Sequence, residues 1–278
     1  MELYDANCIT NFLSFKYLDI RDINNCLSTS IRNYENYKKS ECIMRILNIL
    51  RNKSYIDNSD LFYRIGGIKY IIDSINNNFK NKNILIESFR TLSNIIFKND
   101  LNKMMVYSYG INNILLKSIR IDDNILEFNC LHLYSNMVIR SNEFIYDIVY
   151  DNRISYILNK IIKSDDVYCF RNGLIFIQNI SHDKLNPLKN NVREYFSKIK
   201  INNKNIIDLL FNSFQKFYFY KNIIIKNFIR SLLNLILNDE IKNMLNKDIY
   251  INKLNKLYID TNNFAVKKKI KGCLEILN

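Results

Sequence analysis

The sequence contains no tryptophan, a single proline and only five glycines in 278 residues. So few turn-forming residues leave little material for β-hairpins and favour helices joined by short polar turns. Apolar residues make up 48% of the chain and aromatic residues 13%, which is enough to form a hydrophobic core. The sequence therefore predicts a folded, all-α protein.

Catalytic and metal-binding motifs are also missing from the sequence. The two histidines, His132 and His182, have no motif-placed nucleophile, and there is no H-E-x-x-H, P-loop or dinucleotide-binding glycine motif. The six cysteines are scattered without a C-x-x-C pair, which is typical of reduced thiols in an intracellular protein. We therefore predict a protein that is not an enzyme and needs no cofactor or metal, in the cytoplasm, with the nucleus as an alternative.

Long hydrophobic runs are scarce as well. The most apolar window, 222–237, is interrupted by Lys226 and Arg230 and is too short to cross a bilayer. The N-terminal residues match neither a signal peptide nor a myristoylation motif. We therefore expect a soluble protein without a transmembrane segment.

The charge balance is strongly basic, at +13 from 40 Lys and Arg against 27 Asp and Glu. Such a surplus suits an acidic protein partner, a nucleic-acid backbone or an anionic membrane surface. A basic surface that is simply solvated remains an equal alternative.

One feature recurs along the chain: an asparagine between apolar neighbours, at Asn48, Asn94, Asn136, Asn179 and Asn234. Successive intervals are 46, 42, 43 and 55 residues, and Asn278 lies 44 residues further on. Apolar residues stand five and two positions before the asparagines and one position after them. At about 100° per residue they share one helix face, while positions four before and four after lie on the asparagine side. Each asparagine is therefore predicted on the polar side of an amphipathic helix, and a period in the forties is typical of helical solenoids.

A second pattern has the same period. The stretches "YRIGGIKYII" (63–72), "YSYGINNILL" (107–116) and "VYDNRISYIL" (149–158) each read as a helix end, a turn and a new apolar helix. Gly67, Gly110 and Asn152 can adopt the left-handed backbone that such a corner needs. A unit thus holds a short first helix, a corner, a second helix, a polar loop and a longer third helix that carries the asparagine.

This order of helices resembles the armadillo repeat over residues 41–278, most specifically at the "GGI" corner and in "ESFRTLSNII" (87–96). The resemblance implies a right-handed superhelical solenoid of about five to six three-helix repeats. Residues 1–40 are then an N-terminal helical cap or a degenerate repeat. Residues 181–205, which include Pro187, are an insertion loop and a second candidate contact surface.

In the armadillo family, third helices line a concave groove, and their asparagine amides hold the backbone of a bound chain. By this resemblance the recurring asparagines, here called the ladder asparagines, would line such a groove together with basic side chains that can select carboxylates. The predicted partner-binding residues are Asn48, Arg90, Asn94, Lys98, His132, Asn136, Arg140, Asn179, Arg230 and Asn234.

The sequence also departs from the family. The nuclear-import adaptors pair each ladder asparagine with a tryptophan one turn earlier, whereas this chain has no tryptophan and places Arg90 and Arg230 at two of those positions. A lysine-rich ligand would be repelled, which argues against an import adaptor.

Three functions remain as hypotheses. The first is a non-enzymatic scaffold or adaptor, a monomer within a complex, that binds an extended or acidic protein segment. The second, by analogy of size, is a nucleotide-exchange co-factor of the seventy-kilodalton heat-shock chaperone. The third is nucleic-acid binding through the net positive charge, which is disfavoured because the basic residues do not alternate with aromatic ones in one stripe.

Overall fold

The computed structural model describes residues 43–44, 47–48, 51, 66–151 and 153–277. Its secondary structure is almost entirely helical, so the prediction of an all-α fold is confirmed. The chain divides into two compact units, 1–95 and 96–278. The predicted cap at 1–40, the corner residue Asn152 and the last residue, Asn278, lie outside the described residues.

In the first unit, residues 43–44, 47–48 and 51 are helical and are followed by α1 (Gly67–Asn77) and α2 (Lys82–Ile96). The elements of the second unit are α3 (Asp100–Ser108), α4 (Ile111–Ser118), α5 (Asn124–Met137), α6 (Asn142–Tyr150), α7 (Arg153–Lys163), α8 (Val167–Ile180), α9 (Lys189–Lys198), the strands β1 (Lys200–Ile201) and β2 (Lys204–Asn205), α10 (Ile206–Lys216), a 3-10 turn (Tyr218–Tyr220), α11 (Lys221–Leu235), α12 (Asp239–Leu245), α13 (Asp248–Asp260) and α14 (Phe264–Leu277). No helix among these is both long and apolar enough to cross a membrane.

The helices repeat in groups of three. In the second unit the groups are α3 to α5, α6 to α8, α9 to α11 and α12 to α14, and the third member is the longest of each group. In the first unit, α1 and α2 are the second and third helices of such a group. The third helices pack in series, with α8 against both α5 and α11, and α11 also against α14.

The apolar face of each third helix forms the core. The residues five positions before the ladder asparagines, Phe89, Leu131, Leu174 and Ile229, are fully buried. The residues two positions before them, among them Leu92 and Ile177, are buried as well. The repeated apolar pattern therefore identified the core face correctly.

Side-chain caps set where two of the third helices, α5 and α8, begin. The carboxylate of Asp123 accepts a hydrogen bond from the backbone N–H of Leu126 at 3.0 Å, and that of Asp166 accepts from Tyr168 and Cys169, each at 2.8 Å. These carboxylates satisfy N–H groups in the first turn that have no partner within the helix. α5 and α8 consequently start at equivalent points of their repeats.

Left-handed glycines form two of the corners between first and second helices. Gly110 has φ 77° immediately before α4, as predicted. At the preceding corner the left-handed residue is Gly66, with φ 70°, whereas Gly67 is the first residue of α1. The choice of Gly67 was wrong by one position because either glycine of the pair can adopt this conformation.

Residues 181–205 do not form the predicted loop. They contain a turn at 181–188, the whole of α9 and the hairpin formed by β1 and β2. α9 is the first helix of its repeat, held by buried Val192 and Phe196 one turn apart. The extra length of this repeat lies in the longer turn before α9 and in the hairpin that replaces a glycine corner.

Candidate functional site

The ladder asparagines of the second unit connect neighbouring third helices. The Nδ2 amide of Asn179 on α8 donates to the backbone carbonyl oxygen of Ser135 on α5 at 2.9 Å. One repeat later, Asn234 on α11 donates in the same way to Gln178 on α8 at 2.8 Å. Each acceptor is the residue just before the preceding ladder asparagine, so the bond repeats with the structural unit.

Further polar side chains continue this connection along the helices. Asn172 donates to the carbonyl oxygen of Phe128 at 3.1 Å, seven residues before the Asn179 contact on both helices. Ser231 on α11 donates to the carbonyl oxygen of Leu174 on α8 at 2.8 Å. The polar positions next to the ladder therefore join one repeat to the next.

These contacts reduce the number of amide groups that the ladder asparagines can use to bind a ligand. An asparagine amide carries two N–H donors and a carbonyl oxygen, and Asn179 and Asn234 each commit one donor to a neighbouring helix. Asn179 is only 7% exposed, whereas Asn136 and Asn234 are half-buried. That the ladder holds the main chain of a ligand stays a prediction, in which Asn136 and Asn234 are the more accessible members.

In the first unit the predicted basic residue Arg90 is neutralised in part. Its guanidinium lies 2.8 Å from one carboxylate oxygen of Glu87, and Arg51 lies 2.6 Å from the other. Asn48 and Asn94 are half-buried on the same helix faces. This part of the predicted site therefore holds paired charges.

The third helices of the second unit present an unbalanced positive surface. We use "third-helix surface" for the positions eight before, four before, at and four after the ladder asparagines of α5, α8 and α11. Its cationic residues are Arg140, Arg171, Lys226 and Arg230, and none of them forms an ion pair with a residue that the structure describes. Its one carboxylate, Asp183, lies 2.9 Å from the guanidinium of Arg193. The net charge of this surface is therefore positive.

His132 lies within this surface. It is half-buried on α5, and its ring centroid is 6.4 Å from that of Phe128. Loss of hydration lowers the pKa of His132, and the nearby positive charge of Arg171 lowers it further. The imidazole is consequently held in its neutral form over a wider pH range than a free histidine.

A pocket of about 430 Å³ lies within the second unit, between the turn at 97–99, the start of α3 and the end of α5. Its polar wall includes three of the predicted residues, Lys98, Asn136 and Arg140, together with Lys103 and Asp100. The Nζ of Lys103 lies 3.3 Å from Asp100 Oδ1 and also donates to the carbonyl oxygen of Ile139. We call this site the Lys103 pocket.

Lys98 and Arg140 occupy equivalent turns after α2 and α5, and each has φ 57°. This left-handed conformation is unfavourable for any residue with a Cβ and is usually taken by glycine or asparagine at a helix end. The backbone N–H of Arg140 donates to the carbonyl oxygen of Leu185 at 2.9 Å, so the turn at 181–188 contributes to the pocket wall.

Arg171, Lys226 and Lys103 were not among the predicted site residues. Arg171 and Lys226 stand eight residues before ladder asparagines, one turn before the positions four residues ahead of the asparagines. The position eight residues before an asparagine lies on the same side of the helix as the asparagine, so helical spacing alone could have identified both residues. Lys103 could not have been found, because its burial depends on the fold of the turns around it.

In the described part of the chain, no three His, Cys, Asp or Glu side chains converge in a way that could hold a metal ion.

No protein-family model and no curated protein matches the sequence. Solved structures do match the fold. A designed armadillo repeat protein aligns with a TM-score of 0.68 and 16% identity, over 90% of this chain and 98% of its own. A second designed armadillo repeat protein, solved in complex with the peptide (KR)4, aligns with a TM-score of 0.65 and 15% identity, over 90% and 97%. Armadillo repeat proteins computationally designed for modular peptide recognition give a TM-score of 0.66 and 16% identity, over 88% and 95%. The chain therefore has an armadillo-like repeat solenoid fold.

Proposed function

We propose that this protein is a non-enzymatic scaffold that binds an extended, acidic protein segment across its third-helix surface. The observation that carries the proposal is the set of cations on that surface, Arg140, Arg171, Lys226 and Arg230, which lack ion-pair partners among the described residues. Arginine forks match the geometry of carboxylates, so such a surface favours Asp and Glu side chains.

The ladder asparagines suit an extended main chain. Their remaining amide groups can donate to and accept from a ligand backbone, and they recur at the spacing of the repeats. One of the similar structures is a designed armadillo repeat protein with a bound peptide. That peptide is basic, and the positive surface of this chain favours the opposite charge.

The test is a fluorescence-anisotropy titration with a labelled alternating Glu-Asp peptide of the same length as (KR)4. We expect saturable binding of the acidic peptide, weakened by salt because exposed charges are screened. Replacing Arg171 and Arg230 together by alanine should weaken binding about tenfold, since two partly exposed ion pairs are lost.

The matched control is the double variant K117A/K163A. It removes the same charge from exposed lysines on the second helices α4 and α7, away from the third-helix surface. Equal weakening by both double variants would show a response to net charge only and would overturn the proposal.

A further inference from the structure

The Lys103 pocket carries more positive charge than its own carboxylate can balance. Among the described residues, Lys98, Lys103 and Arg140 bring three positive charges to its wall, and Asp100 brings the one negative charge. The surplus is therefore two charges, in a pocket whose other walls include apolar Ile96, Phe97, Ile139 and Leu185.

Lys103 is the most unusual of these cations. Its side chain is only 3% exposed, and its sole carboxylate partner among the described residues, Asp100, is 56% exposed and 3.3 Å away. Loss of hydration lowers the pKa of Lys103 despite that carboxylate, and the charge of Arg140 lowers it further. A buried ammonium beside a second cation is costly unless an anion joins them.

The N-terminus of α3 does not explain the site. Asn99 caps that helix, accepting from the backbone N–H of Asn102 at 2.9 Å, so part of its first turn is already satisfied. The attraction for an anion comes from side chains.

The turns that carry Lys98 and Arg140 also have a strained, left-handed backbone. The third helices α8 and α11 are not followed by any residue with positive φ, whereas α2 and α5 are followed by Lys98 and Arg140. Glycine would fit both turns better, yet both carry a long cation that faces the same pocket. Strain of this kind persists where the side chain has a use.

We propose that the Lys103 pocket binds the phosphate group of a phosphorylated side chain on the bound protein segment. A phosphate monoester carries about −2 at neutral pH and three acceptor oxygens, which matches the surplus of two charges better than a single carboxylate does. Asn136 lines the same pocket, so a segment held at this ladder position presents its side chain to the cations. This inference rests on the proposed function, because the phosphate is carried by the segment on the third-helix surface.

The pocket can be tested without any peptide. Inorganic phosphate and phenyl phosphate are titrated into the full chain, and backbone amide shifts are followed by NMR. We expect saturable shifts at Lys98, Lys103 and Arg140, and an affinity reduced about tenfold or more in R140G, because a charge-assisted hydrogen bond is lost. N203G serves as the control, since Asn203 also has positive φ, 61°, but lies in the hairpin.

Shifts that are unchanged in R140G, or that spread over exposed lysines elsewhere, would overturn the proposal that the Lys103 pocket binds phosphate. That outcome leaves the acidic-segment proposal intact if the Glu-Asp peptide still binds with dependence on Arg171 and Arg230. Conversely, phosphate binding in the pocket without any peptide binding would overturn the proposed function and the assignment of the phosphate to a bound segment, and would support only the anion site itself.

A second comparison identifies the carrier of the phosphate. An acidic peptide with one phosphoserine should bind wild type about tenfold more tightly than its unphosphorylated form, and R140G should remove that difference. Vesicles containing a phosphoinositide are the alternative carrier. Sedimentation of the protein with them that depends on Arg140, with no gain from the phosphoserine, would overturn the assignment to a protein segment.

Discussion

The side chain of Asn179 caps the end of the neighbouring third helix by donating to the carbonyl oxygen of Ser135 at 2.9 Å. Ser135 is among the last residues of α5, where a carbonyl group can be left without an N–H partner in its own helix. Its neighbours Tyr134 and Asn136 accept from Val138 and Ile139 in the following turn. Asn234 meets Gln178 at the end of α8 in the same way, so the recurrent asparagine has a structural role between repeats.

Replacing Asn179 by alanine should therefore destabilise the protein. The buried carbonyl of Ser135 would lose its partner, which costs about 1–3 kcal/mol in the free energy of unfolding. Urea denaturation followed by circular dichroism measures this change. N212A, at an exposed position on α10, is the control and should stay within about 0.5 kcal/mol of wild type. Equal stability of the two variants would contradict the structural role.

Gly173 should tolerate no side chain. A Cβ there would stand 2.4 Å from Cγ2 and 2.6 Å from Cγ1 of Ile161, so α7 and α8 approach too closely for alanine. We expect G173A to lower the free energy of unfolding by about 1–3 kcal/mol through overpacking. Shortening the buried Ile161 to alanine should cost less in G173A than in wild type, because it also removes the clash. A double-mutant cycle with no coupling between the two positions would show that the contact is not the cause.

The turns at Lys98 and Arg140 should become more stable when glycine replaces the native residue. Both have φ 57°, and removing the Cβ relieves about 1 kcal/mol of strain. Arg140→Gly also keeps the backbone N–H that donates to Leu185. Thermal denaturation should show a higher midpoint for R140G, together with the weaker phosphate binding described above. A lower midpoint would mean that the arginine side chain stabilises the fold itself.

His132 should make stability depend on pH. Because burial lowers the pKa of His132 below that of an unfolded histidine, the unfolded chain binds more protons just below about pH 6.5. The free energy of unfolding should therefore be highest above that pH and should decline as the pH falls toward the pKa of His132 in the folded protein. H132Q should lose less stability than wild type on acidification, measured by urea denaturation. H182Q is the control, and an equal pH profile for wild type and H132Q would refute this assignment.

Much of the fold could be predicted because the same spacing of apolar residues recurs in each repeat. Residues such as Phe89, Leu131 and Leu174 lie at the same offset from the ladder asparagines, and the structure buries all of them. α9 was missed because its sequence, "KNNVREYFSK", is polar apart from a few positions. Its only regular signal is Val192 and Phe196 at helical spacing, which is weak next to a proline and many asparagines.

The site was harder to predict because it depends on contacts between repeats. Helix geometry placed Asn136 on the polar side of α5, where it lines the Lys103 pocket. It placed Arg140 on the same helix face, but α5 ends at Met137 and Arg140 lines the pocket from the left-handed turn that follows. The commitment of the Asn179 amide to Ser135 involves residues 44 positions apart, and no local pattern reports it. The ion pair of Arg51 with Glu87, 36 positions apart, likewise results from packing between helices, whereas the pair of Arg90 with Glu87 is local, three residues apart on α2.

The proposal that the third-helix surface selects its partner by charge is tested most directly by reversing two charges of that surface. R171E/R230E and wild type are each titrated with the labelled Glu-Asp peptide and with (KR)4, with circular dichroism to confirm that both are folded. Wild type should bind the acidic peptide and not (KR)4, and the double variant should reverse that preference, because like charges then face the acidic chain. An unchanged preference in the double variant would contradict the proposal that Arg171 and Arg230 select the partner.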